Sequence, residues 1–466
     1  MRGGRSSQPQ LAKSLIAPLE YGHLKAGINP SPHPDYRREG LLRKQGNHLG
    51  GTRFDRWPPI AIIAISVSQS GFLPVRQDII AVAVLGCWLY LIAARGGFWL
   101  SSVRDDSRHP LQAPFPQAPF PQASWPAVIA VVPARNEADY VAESIGSLLD
   151  QNYPGAFSVI LVDDQSSDGT AAIALRAATT RGASNRLTIV YGQALPPEWM
   201  GKTWAQQQGL ALALQQSPAP SYVLLTDADI VHAPDTLAWL VAQAQAEGSV
   251  LTSLMAKLNC VSFAERLLIP AFIFFFQMLY PFRWVNAPHR TTAAAAGGCM
   301  LARCDALAAA GGVAAIRDAV IDDCALATRL KKRGPIWLGL TKRARSIRRY
   351  PRLGDIRQMV TRSAYAQLKY SPIWLTATVV GLSLVYVAPV LFALFGSGLA
   401  CALGTASWAL RAISFMPTLR FYRMPVLWGA ALPAIGLIYL AFTIDSAIQH
   451  ARRGGGMWKG RVALRT

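Results

Sequence analysis

Three pairs of aspartates are the residues of this sequence best suited to chemistry. In chain order they are Asp163 with Asp164, Asp227 with Asp229, and Asp322 with Asp323. Acid is scarce in the chain, which has 46 Lys plus Arg against 26 Asp plus Glu and a formal net charge of +20. Clustered carboxylates in so basic a chain indicate sites that bind a cation or hydrogen-bond donors.

The first pair, Asp163 and Asp164, ends the apolar run of "VILVDDQSSDGT". One interpretation is an ordinary turn leading into an N-capped helix, where Asp and Ser form local hydrogen bonds. The other is a pair of carboxylates that accept hydrogen bonds from a nucleobase imide or from ribose hydroxyls. The residues alone leave both interpretations open.

The second pair, Asp227 and Asp229, follows the apolar residues of "LLTDADI". Side chains two apart in an extended chain point the same way, so both carboxylates can face one hard cation. We favour metal binding over a plain turn.

The third pair, Asp322 and Asp323, begins a predicted helix in "AVIDDCALATRLKKRG". Acid in a first helical turn complements the helix dipole, which would suffice to explain one of them. The alternative is a general base that takes the proton from an attacking hydroxyl.

Other catalytic sets are not evident. The six cysteines form no C-x-x-C pair, and the seven histidines are scattered, so we predict reduced, structural thiols and no His-based dyad. Cys299 and Cys304 could form a metal clamp, but no second ligand pair lies at zinc spacing, and packing is favoured.

The acids lie within an α/β pattern. From residue 127 to about 340, short apolar runs such as "AVIAVVPA", "SVILVDD", "RLTIVYG" and "SYVLLTDAD" alternate with helical stretches. This rhythm predicts a mostly parallel sheet covered by helices on both faces. Ligands bind such sheets beyond the carboxyl ends of the strands, where the first two pairs fall.

The rest of the chain favours a membrane. It is 52% hydrophobic and 15% charged, which is unusual for a soluble protein. The predicted layout is a disordered basic tail at 1–56, an N-terminal transmembrane region at 57–103 with 79–100 the best span, a Pro-rich linker at 104–126, a catalytic domain at 127–372, transmembrane helices at 373–445 and a basic tail at 446–466.

The topology is left open. Arg411 makes the middle C-terminal segment uncertain, and the basic stretches "RFYR" and "HARRGGGMWKGR" both favour the cytosol although one span separates them. Segment 263–285 suits either an interfacial helix or a buried core helix. The run "TKRARSIRRYPR", which includes Arg348, suits either anionic headgroups or a solvated face.

Taken in order, these motifs resemble the family 2 glycosyltransferases over residues 127 to about 340. "VVPARNEADYVAESIGSLLDQNYP" is similar to the family's opening strand and nucleotide loop, and "ILVDDQSSDGT" to its uridine-contacting acids. "LLTDAD" resembles its D-x-D metal motif, and "IDDCALATRL" resembles its E-D-x-x-L-x-x-R-L motif with Asp322 in place of the Glu. The resemblance implies a GT-A nucleotide-sugar-binding fold.

The resemblance also implies roles for individual residues. Asp227 and Asp229 would hold Mg²⁺ or Mn²⁺ on the diphosphate, and Asp323 would be the catalytic base, supported by Asp322 and Arg329. The implied nucleotide site consists of Pro133, Arg135, Glu137, Asp163 and Asp164.

Two further stretches, "ALPPEWMGKTWAQQQGL" and the ending "RSAYAQLKYSP" with "GGGMWKGR", resemble the hopanoid-biosynthesis-associated branch, which is related to ceramide glucosyltransferases. That resemblance brings Lys202 to the diphosphate, although a simple helix-start cation is as good an interpretation. It implies a multi-pass protein of the bacterial inner membrane, with a cytosolic catalytic domain, that transfers sugar from a nucleotide sugar to a lipid with inversion.

Alternative functions remain. A processive polysaccharide synthase would carry Q-x-x-R-W, whereas Gln358 and Arg362 stand at another spacing with no Trp. A non-enzymatic basic membrane protein that binds nucleic acid lacks the expected aromatic-interleaved basic repeats, and no nucleic-acid partner is expected. A sugar-phosphate nucleotidyltransferase would need a Gly-rich basic loop after the first strand, which "VVPARNEA" lacks.

Overall fold

The structure is a computed structural model that describes residues 72–106, 125–453, 457–458 and 461–462. The predictions for the tail at 1–56, for most of the linker at 104–126 and for most of the chain beyond 453 fall outside the described residues.

An eight-stranded mixed sheet forms the centre, in the order β3-β2-β1-β4-β7-β6-β8-β5. Its strands are β1 (Val128–Ala134), β2 (Phe157–Asp163), β3 (Leu187–Tyr191), β4 (Tyr222–Leu225), β5 (Ile230–His232), β6 (Leu251–Lys257), β7 (Met300–Arg303) and β8 (Ile336–Ser346). Strands β1 to β4 are parallel to one another, and β6 is parallel to β8. The short strands β5 and β7 run antiparallel to their neighbours.

The helices are α1 (Phe72–Ala94), α2 (Val141–Leu149), α3 (Thr170–Thr180), α4 (Gly201–Leu214), α5 (Thr236–Ala246), α6 (Phe263–Leu279), α7 (Phe282–Asn286), α8 (Cys304–Ala309), α9 (Asp322–Lys331), α10 (Leu353–Thr361), α11 (Ala364–Gln367), α12 (Pro372–Leu382), α13 (Ala388–Phe395), α14 (Gly398–Phe421) and α15 (Leu432–Arg453). A π-helical turn, Ser383–Val387, joins α12 to α13. A short hairpin pairs Met457–Trp458 with Arg461–Val462.

The sheet has a hydrophobic core on each face, as predicted. Every residue of β1 is buried, and successive side chains alternate: Ile129 and Val131 enter one core while Val128, Ala130 and Val132 enter the other. A strand buried on both faces appears in the sequence as a continuous apolar run. Because β1, β2 and β4 are parallel, their carboxyl ends share one edge of the sheet.

Among the described residues, four helical segments are long and apolar enough to cross a membrane, namely Arg76–Ala94, Pro372–Phe395, Gly398–Phe421 and Val426–Arg452. The first ends six residues before the predicted limit of 100. Arg95 donates from Nε to the carbonyl of Met278 at 2.6 Å, and Gly96 and Gly97 adopt φ values of 61° and 59°. These left-handed residues end the helix, because α-helical backbone requires negative φ.

Arg411, which made the middle segment uncertain, is fully buried in the helical bundle. Its Nη1 donates to the carbonyls of Val385 and Tyr386 at 3.0 Å each. Both carbonyls belong to the π-helical turn, where the regular i to i+4 bonding is interrupted. The guanidinium also lies 5.8 Å from the Trp88 ring centroid, so the charge faces neighbouring helices instead of lipid.

After α14 the chain turns back along the same helix. Met424 N–H donates to the carbonyl of Leu419 at 2.9 Å, and the indole of Trp408 donates to the carbonyl of Ala430 at 3.0 Å. The short helix Val426–Ala431 therefore runs antiparallel to α14, from its carboxyl end toward its middle.

Helix α15 then returns toward the catalytic domain. Gly436 packs closely against the Tyr386 ring, and the Ser446 hydroxyl donates to the carbonyl of Thr361 in α10 at 2.6 Å. Segment Val426–Arg452 is thus a hairpin with both ends on the side of the catalytic domain. Arg423 and Arg452, one from each of the two basic stretches that seemed to conflict in the sequence, lie on the same side.

Segment 263–285 forms α6 and α7 and lies between the sheet and the apolar helices. The Phe274 ring packs against Phe98 at 5.3 Å and against Phe415 of α14 at 5.2 Å between centroids. Ser262 and Glu265 form a capping box at the start of α6. One face of α6 is core, while Phe263 and Leu279 remain exposed.

The hairpin geometry predicts the sidedness of three exposed positions. When the protein is embedded in vesicles, a membrane-impermeant maleimide should label Arg423→Cys and Arg452→Cys from one side and Ser397→Cys from the other. Labelling of the unsubstituted protein measures the background from the native cysteines. Labelling of Arg423→Cys and Arg452→Cys from opposite sides would show that the last segment crosses the membrane.

Candidate active site

A cavity of about 730 Å³ lies at the carboxyl edge of the sheet. Seven of the eleven residues to which the sequence resemblance gave site roles line it: Pro133, Glu137, Lys202, Asp227, Asp229, Asp322 and Asp323. They come from the end of β1 and the loop after it, the start of α4, the segment after β4 and the start of α9. The fold thus brings the second and third aspartate pairs into one chamber.

Lys202 joins these two pairs. Its Nζ lies 2.9 Å from Oδ1 of Asp227 and 3.3 Å from Oδ2 of Asp322. Burial would lower the pKa of this amine, but Asp227, Asp322 and Asp323 together raise the pKa of Lys202 above its ordinary value. The lysine at the start of α4 therefore lies in the cavity as a cation.

Arg348 forms a matching contact on the other side of the D-x-D motif. Its Nε lies 2.6 Å from Oδ2 of Asp229, and its Nη2 lies 2.7 and 2.6 Å from the two carboxylate oxygens of Glu137. Burial alone would lower the pKa of Arg348, but Asp229 and Glu137 raise it. Asp229 and Glu137 are thereby held together by one guanidinium.

This location differs from the one considered for Arg348 from the sequence, where it belonged to a run suited to lipid headgroups. Other cations of that run also pair with acids: Lys342 with Asp106 at 3.4 Å and Arg345 with Glu143 at 2.9 Å. Sequence spacing gave no signal for the role of Arg348, because its partners lie far away along the chain.

Asp323 is held by two backbone donors. Gly297 N–H donates to Oδ2 at 2.9 Å, and Cys324 N–H donates to Oδ1 at 2.7 Å. Burial and the neighbouring Asp322 raise the pKa of Asp323 to about 6, against the opposing effect of Lys202. A Cβ at Gly297 would lie 3.1 Å from Lys202 Nζ, so a glycine suits this wall of the cavity.

Four of the sequence-predicted residues lie outside the cavity lining. Asp163 accepts a hydrogen bond from Ser166 N–H at 2.9 Å, as in the turn interpretation. Asp164 is fully buried beside Arg135, whose Nη1 lies 3.8 Å from Asp164 Oδ2. Arg329 lines a separate cavity. The structure therefore brings together the residues proposed to bind the diphosphate and to act as base. The residues Arg135, Asp163 and Asp164, proposed for the nucleoside, lie outside the cavity lining, at the ends of β1 and β2.

The donor set is compatible with a divalent cation. The ion pairs engage one oxygen of each D-x-D carboxylate, Oδ1 of Asp227 and Oδ2 of Asp229. Within the described residues no group of three or more His, Cys, Asp or Glu forms a ready-made metal site. Mg²⁺ commonly binds through one or two carboxylates together with substrate phosphates. Asp227 and Asp229 fit that pattern.

All six cysteines are free. Cys299 and Cys304 are both buried, consistent with the predicted packing role.

The family described as "Glycosyl transferase family 2" matches residues 129–310. The match shows a glycosyltransferase domain in this chain and confirms the predicted enzyme class. It ends before Asp322, Asp323 and Arg348, so their placement in the cavity comes from the structure. No curated protein sequence matches the chain.

Solved structures similar to the chain include the mannosyltransferase PcManGT from Pyrobaculum calidifontis, in complex with GDP-Man and Mn²⁺. It is 20% identical, with 80% of this chain and 99% of that chain covered and a TM-score of 0.46. Mannosyl-3-phosphoglycerate synthase from Rubrobacter xylanophilus is 19% identical, with coverages of 53% and 75% and a TM-score of 0.33. At these values the similarities assign no residue role.

The raised pKa of Asp323 predicts the acid limb of the pH profile. A catalytic base must be unprotonated, so kcat/KM should fall as the pH drops through about 6, by about tenfold per unit below that value. The measurement is the rate of sugar transfer between about pH 5 and about pH 8. A flat profile across this range would exclude Asp323 as the base.

The contacts of Arg348 predict a large effect of its removal. Arg348→Ala would leave Glu137 and Asp229 without their shared cation and cost about 1–3 kcal/mol of stability. Asp229 would also lose its fixed position, so nucleoside-diphosphate affinity should fall about tenfold or more. Melting temperature and calorimetric titration with UDP and GDP measure the two effects.

Arg349→Ala is the matched control, because Arg349 is the adjacent residue and is exposed. It should leave both quantities unchanged. Equal losses of stability and affinity in the two variants would mean that both quantities depend on the positive charge at this place in the chain and not on the contacts of Arg348.

Proposed function

We propose that this chain is a membrane-embedded inverting glycosyltransferase that moves a sugar from a nucleoside diphosphate to a hydroxyl group of a lipid. The observation that carries the proposal is the extent of the cavity. It begins at the D-x-D carboxylates and reaches Ser446, Gln449 and His450, in the last turns of an apolar helix. One chamber thus connects the acidic site to the helices suited to a bilayer.

The donor end of the cavity suits a diphosphate. Lys202 and Arg348 place two fixed cations beside Asp227 and Asp229, so charge on phosphate oxygens would meet positive groups already in position. Asp227 and Asp229 would hold Mg²⁺ or Mn²⁺ there. When bound, such an ion supplies Lewis-acid stabilisation of the leaving diphosphate.

Asp323 is suited to activate the acceptor. Its carboxylate would take the hydroxyl proton as the acceptor oxygen forms a bond to the anomeric carbon and the bond from that carbon to the diphosphate breaks. Attack opposite the leaving group inverts the anomeric configuration in one step. The backbone donors from Gly297 and Cys324 fix the carboxylate, and a pKa near 6 leaves it ionised at neutral pH yet more basic than an ordinary aspartate.

The acceptor end is apolar and aromatic as well as polar. Phe272 and Phe276 of α6 and Met359 of α10 line it, and the imidazole of His450 stacks on Tyr370 with ring centroids 4.4 Å apart. Such a wall fits a lipid whose hydroxyl enters the cavity while its apolar body remains against the helices. The hopanoid class implied by the sequence resemblance is one such lipid.

The charge distribution supports a cytosolic catalytic domain in a bacterial inner membrane. Arg95, Arg423 and Arg452 flank the apolar segments on the side of the domain, whereas the opposite turn at 396–397 reads Gly-Ser. Basic residues near spans favour the cytosolic side.

Transfer of labelled sugar tests the proposal directly. The full-length protein, purified and reconstituted with a total bacterial lipid extract, is incubated with Mn²⁺ and a panel of labelled UDP- and GDP-sugars. Label should enter the organic phase with one of these donors, and mass spectrometry of that product should show single-sugar addition. Asp323→Asn should reduce the rate by at least about a hundredfold.

Asp318→Asn is the control, because this exposed carboxylate lies close in sequence to Asp323 but lines the separate cavity. It should retain the rate. A long water-soluble polymer would instead identify a processive synthase, in which Gln358 and Arg362, which also line the cavity, serve at their unusual spacing. Tight nucleic-acid binding without any transfer would support the non-enzymatic alternative.

A further inference from the structure

A second surface, none of whose residues lines the cavity, consists of three arginines and one indole: Arg95, Arg283, Trp284 and Arg290, here called the Trp284 cluster. The guanidinium carbons of Arg95 and Arg290 lie 5.6 and 5.0 Å from the Trp284 ring. Arg283 lies beside Gly97, with Nη1 3.5 Å from where a glycine Cβ would stand. Arg283 and Arg290 are exposed.

The charges of this cluster differ from those of the 342–352 run, most of which pair with carboxylates. Arg95 donates to the carbonyls of Met278 and Leu279 at the end of α6, and Arg283 donates to the Ser102 hydroxyl at 3.2 Å. In the part of the chain that the structure describes, none of the three guanidinium groups forms an ion pair. The cluster therefore presents a concentrated positive charge.

Two sets of contacts fix the position of Trp284. Lys331 Nζ donates to the carbonyls of Trp284, Val285 and Ala287, which ties the end of α9 to α7. Gly96, with φ of 61°, lets the Trp284 ring approach so closely that a Cβ there would lie 2.8 Å from the indole nitrogen. Arg95 and Arg290 thus lie over an indole whose position is fixed by its packing.

Position relative to the membrane identifies the kind of partner. Arg95 directly follows Ala94, the last residue of the first candidate span, so the cluster lies where lipid headgroups would meet the protein. Tryptophan is enriched at this depth, and basic residues there attract anionic lipids. Planar guanidinium groups bind phosphate oxygens through paired donors.

We propose that the Trp284 cluster binds the phosphate headgroup of an anionic phospholipid in the leaflet on the side of the catalytic domain. This inference rests on one part of the proposed function, the embedding of the protein in a membrane, and not on sugar transfer. It replaces the 342–352 run, whose cations are largely paired internally, as the headgroup-binding surface of this chain.

Retention of phosphatidylglycerol tests the proposal. The full-length protein is purified in detergent with mixed phosphatidylcholine and phosphatidylglycerol, washed with phosphatidylcholine micelles, and analysed by native mass spectrometry. The unsubstituted protein should retain phosphatidylglycerol, and Arg283→Ala/Arg290→Ala should retain it roughly tenfold less. Gel filtration of the variant as a single symmetric species verifies folding.

Lys342→Ala/Arg345→Ala is the matched control, because it removes the same charge from residues that are paired with Asp106 and Glu143. It should retain the lipid as the unsubstituted protein does. Equal loss in both double variants, or no loss in either, would overturn the proposal, as would displacement of the lipid by inorganic phosphate. A protein that stays soluble without detergent would instead refute the membrane embedding itself.

Discussion

Two cations hold four carboxylates together at the edge of the sheet, and the site depends on these ion pairs. Lys202 bridges Asp227 to Asp322, and Arg348 bridges Asp229 to Glu137. Each D-x-D carboxylate is therefore tied through one cation to an acid from a distant segment. Carboxylates so close together would repel one another in a secluded cavity, and the interposed cations make their ionised state compatible with partial burial.

The same arrangement defines two ends of the chamber. At one end, fixed positive groups and two carboxylates suit a diphosphate with its divalent ion. At the other, aromatic and apolar side chains from α6, α10 and α15 line the cavity. Helix α6 is the structural link, because its buried face packs against α14 through Phe274 and Phe415, while Phe272 and Phe276 line the cavity. The packing of the apolar helices and the shape of this end of the cavity are thereby coupled.

The apolar helices are organised by a similar rule, that buried charge must be satisfied locally. Nη1 of Arg411 finds its acceptors in a π-helical turn of the preceding helix, and the rest of its guanidinium lies near the rings of Trp88 and Tyr386. The chain after α14 folds back as a hairpin. This return keeps Arg423 and Arg452 on one side of the assembly. The apparent conflict between two basic stretches disappears because the segment between them does not run straight from one face to the other.

The sequence by itself determined the α/β character, the strands with continuous apolar runs and the order of the three aspartate pairs, because burial on both faces and local turn chemistry leave signals between close neighbours in the chain. It did not reveal the antiparallel strands β5 and β7, because they are too short to show a hydrophobic pattern. It also did not reveal β8, because the second half of that strand is rich in charged residues. Only the tertiary structure decided that Arg348 reaches Glu137 and Asp229, that Asp163 and Asp164 stay behind the cavity, and that the last apolar segment is a hairpin. Those outcomes depend on pairings between residues far apart in sequence, and such pairings are set by how the elements pack and not by spacing along the chain.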